Sequence, residues 1–155
     1  MNRILNAVLR SDPGELERCL RLFPERINEV DTHHRTALIH AVIQKGEKLV
    51  DLLIKSKCDP NKQDKAGNCP LHYSAQNYTP NILKMLLGSG ASVDLGDEHG
   101  NSPLFRAVFN SQGRGEIITL LLKADADRDL KNFYGVSPLE LAQTIGNYNV
   151  KQFLE

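Results

Sequence analysis

The chain has 155 residues, 41% hydrophobic and 25% charged, the composition of a folded globular domain rather than of a disordered or fibrous chain. Nineteen Lys and Arg offset nineteen Asp and Glu, so no net field draws nucleic acid or anionic lipid to the surface, and neither is expected as a partner. Uninterrupted apolar runs stop at about three residues, as at Leu120–Leu122, against the roughly 18 needed to cross a bilayer, so no membrane span is expected.

From the amino end, Met1 to Asn6 contains Arg3 and soon meets the break Arg10-Ser11-Asp12-Pro13, unlike the continuous apolar segment of a secretory signal. The expected location is the cytoplasm. Leu5 and Leu20 are 15 residues apart, a separation that recurs below, and residues 1–34 are read as a degenerate opening unit that caps the chain. Cys19 lies on the stripe Leu16-Cys19-Leu20, where a thiol acts as a small core residue. With Cys58 and Cys69 it makes an odd count without a close pair, which fits neither a disulfide framework nor a zinc spacing. The absence of Trp points to a core of Leu, Ile, Val and Ala, and hence to helices.

Four later segments set a period. Thr36-Ala37-Leu38-Ile39, Cys69-Pro70-Leu71-His72, Ser102-Pro103-Leu104-Phe105 and Ser137-Pro138-Leu139-Glu140 start 33, 33 and 35 residues apart, which points to a solenoid. The expected division of the single domain 1–155 is 1–34, 35–67, 68–100, 101–135 and 136–155. Each unit reads as a helix, a tight turn, a second helix and an extended loop. Ser102 and Ser137 cap the first helix, and Pro103 and Pro138 follow at its first position, where a missing N–H costs nothing. In the second helices the stripes Leu49-Leu52-Leu53, Ile82-Met85-Leu86 and Ile117-Leu120-Leu121 are predicted to face neighbouring units. Gly90 is placed to end a second helix in the left-handed region, and Gly67, Gly100 and Gly135 mark hairpin-like tips.

The unit 101–135 is the irregular one. Leu104 and Leu121 are 17 apart where Leu38–Leu53 and Leu71–Leu86 are 15, so two residues are inserted, in the loop Ser111-Gln112-Gly113-Arg114-Gly115. Its two glycines predict a flexible loop able to follow a partner's surface. A short last helix, Asn149–Glu155, carries Lys151, Gln152 and Glu155 and suits a polar end cap.

Catalytic and ligand signals are sparse. His33, His34 and His40 cluster in sequence without the Cys or carboxylate set that would complete a metal spacing, so no metal is expected. Gly88-Ser89-Gly90 and Gly113-Arg114-Gly115 lack a third glycine and a preceding strand, no phosphate loop or nucleophile elbow is present, and neither an enzyme nor a cofactor is expected. Asn77-Tyr78-Thr79 fits a glycosylation acceptor, accidental without a secretory signal. Glu47, Lys48, Asp51 and Lys55 read as the solvated face of an amphipathic helix.

In register, Asp64-Lys65-Ala66-Gly67-Asn68-Cys69-Pro70-Leu71-His72 and Asp97-Glu98-His99-Gly100-Asn101-Ser102-Pro103-Leu104-Phe105, with the turn Gly90-Ala91-Ser92-Val93-Asp94, resemble the ankyrin repeat family over essentially the whole chain. The resemblance implies an all-α solenoid of about five helix-turn-helix units with hairpin-like tips, and a function in binding protein. His72 then falls at a structural hydrogen-bonding position. The sequence departs from the pattern at His34 for the tip glycine, Cys69 for the capping threonine, and Phe105 and Glu140 for the histidine, so local stability is expected to vary between units. The resemblance also implies a concave face built from the tips and the exposed side of the first helices. On it, Arg106, Phe109 and Tyr134 are the expected partner-binding centre, with Phe133, His99, Lys65 and His33 beside them, because aromatic and Arg side chains dominate hot spots. The stretch Gly100–Asn110, the insertion, and Gly135–Ala142 resemble small bacterial ankyrin proteins, several of them immunity proteins encoded beside secreted toxins. That implies a monomer whose partner is a toxin domain; an adaptor for a cellular protein is the alternative.

Overall fold

A computed structural model describes residues 2–155. Nine α-helices occur among them: α1 Arg3–Leu9, α2 Pro13–Leu22, α3 Ala37–Ile43, α4 Glu47–Lys55, α5 Pro70–Gln76, α6 Pro80–Gly88, α7 Pro103–Phe109, α8 Glu116–Lys123 and α9 Pro138–Thr144. Two 3₁₀ turns, Pro24–Arg26 and Val150–Phe153, complete the regular structure. None of these helices is long and apolar enough to cross a membrane.

The starts of the first helices follow from their caps. The hydroxyls of Thr36, Ser102 and Ser137 accept the N–H of Ile39, Phe105 and Glu140, each at 3.2 Å. Cys69 holds the same position in α5, and there the polarity is partly reversed, since its N–H donates to His72 Nδ1 at 3.1 Å while His72 Nε2 meets the Asn101 carbonyl at 2.8 Å. Glu140 fills the place of that histidine by accepting the Ser137 N–H at 2.8 Å. Both solutions satisfy donors that would otherwise be orphaned at a helix start.

The helices stack in two layers. α1, α3, α5, α7 and α9 pack in sequence as one layer, and α2, α4, α6 and α8 as the other. Between the layers lies a core of Leu, Ile, Val and Ala from every unit, including Val8, Leu16, Leu38, Leu53, Leu71, Leu86, Leu104 and Leu121. Cys19, Cys58 and Cys69 are free and buried within it, and burial pushes the Cys58 thiol up to about 12. This is the stacked helix-turn-helix solenoid that the period predicts.

Two connections differ from expectation. Asn149–Glu155 is not an α-helix but the single 3₁₀ turn Val150–Phe153, too short for the hydrogen-bond ladder that propagates an α-helix. Buried Val150 and Leu154 still close the end of the stack, and the Arg128 guanidinium caps the Leu154 carbonyl. The inserted loop is braced rather than free. Ser111 is buried, Arg114 donates to its carbonyl at 3.0 Å and lies 3.7 Å over the Tyr78 ring, and the Tyr78 hydroxyl accepts the Glu116 N–H at 3.2 Å.

Candidate protein-binding face

Each tip is built by one side chain. Asp31 Oδ1 accepts the N–H of His33 and Arg35, Asp64 Oδ1 those of Ala66 and Asn68, Asp97 Oδ1 those of His99 and Asn101, and Asn132 Oδ1 those of Tyr134 and Val136. A short polar side chain thus folds the next four residues over itself. The fourth residue of each turn, His34, Gly67, Gly100 or Gly135, has positive φ. Only His34 holds it with a side chain, an uncommon but tolerated conformation for histidine.

Adjacent tips are laced through the backbone. The N–H of Lys65 donates to the His33 carbonyl at 3.0 Å, that of Glu98 to Ala66 at 2.9 Å, and that of Phe133 to His99 at 3.0 Å. The four tips therefore form one continuous edge.

The second carboxylate oxygen of each Asp ties its tip to the first helix that follows. Asp31 Oδ2 meets His40 Nε2 at 2.9 Å, Asp64 Oδ2 accepts the Tyr73 hydroxyl at 2.5 Å, and Asp97 Oδ2 accepts from Arg106 at 2.5 and 3.1 Å. Burial works to raise the Asp97 carboxyl, but the Arg106 guanidinium and the tip N–H groups hold it below the ordinary range. Arg35 spans two units, donating to Asp64 at 3.5 Å and to the Tyr73 hydroxyl at 3.3 Å.

Against this frame the seven expected site residues separate. Phe109, Phe133 and Tyr134 are 68%, 78% and 73% exposed, the most exposed large hydrophobic side chains described. Phe133 nonetheless rests on Gly100, where a Cβ would come within 2.7 Å of its ring. The Tyr134 ring lies 6.0 Å from that of His99. His99, Arg106 and Phe109 line one shallow depression together with Asn101 and Phe105. Lys65 and His33 are exposed on the two tips nearer the amino end, away from this cluster. Arg106 is the exception among the seven, because its charge is already spent on Asp97.

Sequence reasoning missed two features. The clamp partners His40, Tyr73 and Arg106 follow Asp31, Asp64 and Asp97 by nine residues each, a spacing visible in the sequence. The second is a groove beside Phe109, lined among others by Gln112, Leu141, Ile145 and Tyr148, which only the path of the carboxy-terminal segment creates. His33, His34 and His40 converge on no ligand: His40 is held by Asp31, and no group of three or more His, Cys, Asp or Glu suited to a metal occurs among the described residues.

With this geometry, residues 38–132 match the family pattern of ankyrin repeats in three copies, and the chain belongs to the ankyrin repeat family. It is similar to a mouse B-cell lymphoma 3 protein homolog, 31% identical over 96% of this chain and 34% of that protein. An ankyrin repeat protein of Rickettsia felis is 31% identical over 69% of this chain and 50% of its own length. Protein phosphatase 1 regulatory subunit 27 of mouse is 32% identical over 58% of this chain and 60% of its own length. The chain thus spans a third to a half of the first two relatives. Family membership makes it a protein-binding module.

Proposed function

We propose that this module binds one protein partner on the edge formed by the tips and the exposed side of the first-helix layer, and that the partner is a bacterial toxin domain which it neutralises in the cytoplasm without covalent change. The observation that carries the binding reading is the aromatic cluster. Phe133 and Tyr134 stand exposed on a tip that is bonded through its backbone to the tip of His99, and Phe109 stands exposed at the end of α7 on the depression that His99 also lines. Exposed aromatic surface on a well-packed scaffold marks an interaction site. The residues that pack the core are buried; these three are not, so their cost in solubility is offset by a task outside the fold.

The toxin reading rests on the resemblance of Gly100–Asn110, the insertion and Gly135–Ala142 to small bacterial ankyrin proteins, several of which are immunity proteins. A regulatory adaptor is the second reading, favoured by similarity to a protein named as a phosphatase regulatory subunit. Co-expression with a toxin gene adjacent to this one separates them. The toxin reading expects protection, with the toxin recovered in a stable complex at unaltered mass. Loss of mass, an added group on the toxin, or absence of protection overturns it, and enrichment of a cellular regulator instead supports the adaptor.

A further inference from the structure

The inserted loop and the carboxy-terminal segment meet at one end of the proposed face. The Tyr148 ring lies over Gly113, where a Cβ would come within 2.8 Å of it, and the Phe153 ring lies over Gly115 in the same way. Gly113 also has φ +83, a conformation side chains disfavour. Arg114, between the two glycines, is stacked on Tyr78 of the preceding unit. The insertion is therefore gripped from both sides, and its outer edge becomes the wall of a groove of about 390 Å³, within the roughly 300–1,000 Å³ range of ligand pockets. Leu141 and Ile145 form its floor, half-buried, while Phe109 and Tyr148, 68% and 49% exposed, flank it.

We infer that this groove seats an uncharged loop of the bound protein, which inserts a leucine- or phenylalanine-sized side chain between Phe109 and Tyr148. The inference rests on the reading of the chain as a protein-binding module and names the chemistry of the partner at that site. Charge decides the occupant. A quarter of the chain is charged, yet none of the residues lining the groove is Asp, Glu, Lys, Arg or His. A lysine or glutamate side chain entering it would lose hydration and meet no counter-ion, whereas an apolar one gains by burial. Gln112 and Asn147 at the rim offer amides, the groups suited to the backbone of an entering loop. Because the glycine seats hold the walls in place beforehand, binding orders little of the protein.

The test is an amide-resolved NMR titration of the full chain with N-acetyl-leucine amide and N-acetyl-phenylalanine amide, beside the matching lysine and glutamate amides. The two apolar probes are expected to shift Gln112, Leu141, Gly146 and Tyr148 saturably in the millimolar range, and the charged probes to leave them unmoved. Ile145→Arg puts a cation on the floor and should weaken apolar binding at least about tenfold, equivalent to about 1.4 kcal/mol. Gln112→Glu serves the same purpose from the exposed rim should Ile145→Arg disturb the fold, and Lys48→Ala should change nothing. Equal shifts from charged probes, shifts scattered over the surface, or undiminished binding in both groove variants overturn the inference. The titration needs no partner. A toxin complex forming over a silent groove sinks this inference alone, and a groove that titrates without any protecting complex sinks the toxin reading alone.

Discussion

Arg106 closes on Asp97, its Nη2 and Nε lying 2.5 and 3.1 Å from Oδ2, and the Asp97 side chain is fully buried beneath it. The same carboxylate carries the tip that displays His99. Tip and helix are thus joined by one ion pair, and its counterparts at Asp31–His40 and Asp64–Tyr73 repeat the design with different donors. The fourth tip breaks the series. Asn132 replaces the aspartate and Leu141 stands nine residues on, so no donor from α9 is required, and the Asn132 amide instead donates to Asn101 Oδ1 at 2.8 Å. A neutral side chain can do without the partner that a buried carboxylate demands. The tip that presents Phe133 and Tyr134 is consequently held by its neighbour.

Arg106→Ala should therefore destabilise the protein more than it directly weakens binding. Removing the guanidinium leaves a buried carboxylate supported only by N–H groups, and the expected loss is about 2 kcal/mol, below the roughly 3–5 kcal/mol of fully buried pairs because Arg106 keeps partial solvent access. Asp97→Asn, which retains the Oδ1 acceptor as Asn132 does, should lose less. Urea unfolding midpoints of the two variants check the order; equal losses would show that the tip N–H bonds, not the ion pair, carry the stability.

Stability should fall at acidic pH through the same aspartates. Burial favours the neutral form of Asp31, but the N–H of Arg35, the His40 ring and the N–H of His33 outweigh it and hold the carboxyl at about 2. Asp64 and Asp97 are also depressed against their burial, by Tyr73 and Arg106 first and by tip N–H groups. A folded value below the unfolded one, about 3.9, means that the contribution is complete above the unfolded value and is lost as pH falls from about 4 towards 2. Unfolding midpoints measured from pH 7 to pH 3 should show this decline, and Asp31→Asn should make it shallower, its deficit against the parent narrowing as pH falls. A constant deficit would place the effect elsewhere.

The repeat was legible because its signals are local: a cap, a proline and a leucine recur at fixed spacing, and the helices start where those residues say. Positive φ at Ser11, Lys45, Tyr78 and Gln112 was not legible. Ser11, Lys45 and Tyr78 directly follow the C-caps of first helices and Gln112 lies in the inserted loop, all in a conformation usually marked by glycine. Phe109, Phe133 and Tyr134 could be placed on the tips and helix ends from register alone. The role of Arg106 was missed although its spacing of nine residues from Asp97 recurs at Asp31–His40 and Asp64–Tyr73, because the three partners differ in residue type and only the fold shows that the carboxylate is buried against them. The inserted glycines suggested mobility for a similar reason: Tyr148 and Phe153, which rest on them, come from the far end of the chain.

Cys69→Ser should raise stability by up to about 1 kcal/mol, the usual worth of a hydroxyl at a helix cap. Thr36, Ser102 and Ser137 show the geometry a hydroxyl adopts at this position, and the Cys69 thiol already lies 3.1 Å from His72 Nδ1. The thermal unfolding midpoint is the measurement. A lower midpoint would mean that the buried Sγ fills space that a smaller oxygen leaves empty.

Phe109→Ala separates recognition from packing. At 68% exposure the ring contributes little to the core, so the unfolding midpoint should stay close to that of the parent. If the ring anchors a partner, truncation should cost about 2 kcal/mol of affinity, roughly 30-fold. Tyr134→Ala should act in the same direction, also removing the hydroxyl that lies 3.4 Å from His99 Nδ1. The controls are Lys48→Ala and Asp51→Ala on α4, in the other helical layer, where Asp51 pairs with Lys55 at 2.8 Å in solvent. Both should leave affinity unchanged. Isothermal titration against the partner, with an unfolding curve for each variant, reads the two effects apart. Retained affinity in Phe109→Ala with loss in the α4 variants would move the partner to the second-helix layer and overturn the assignment of the tip edge.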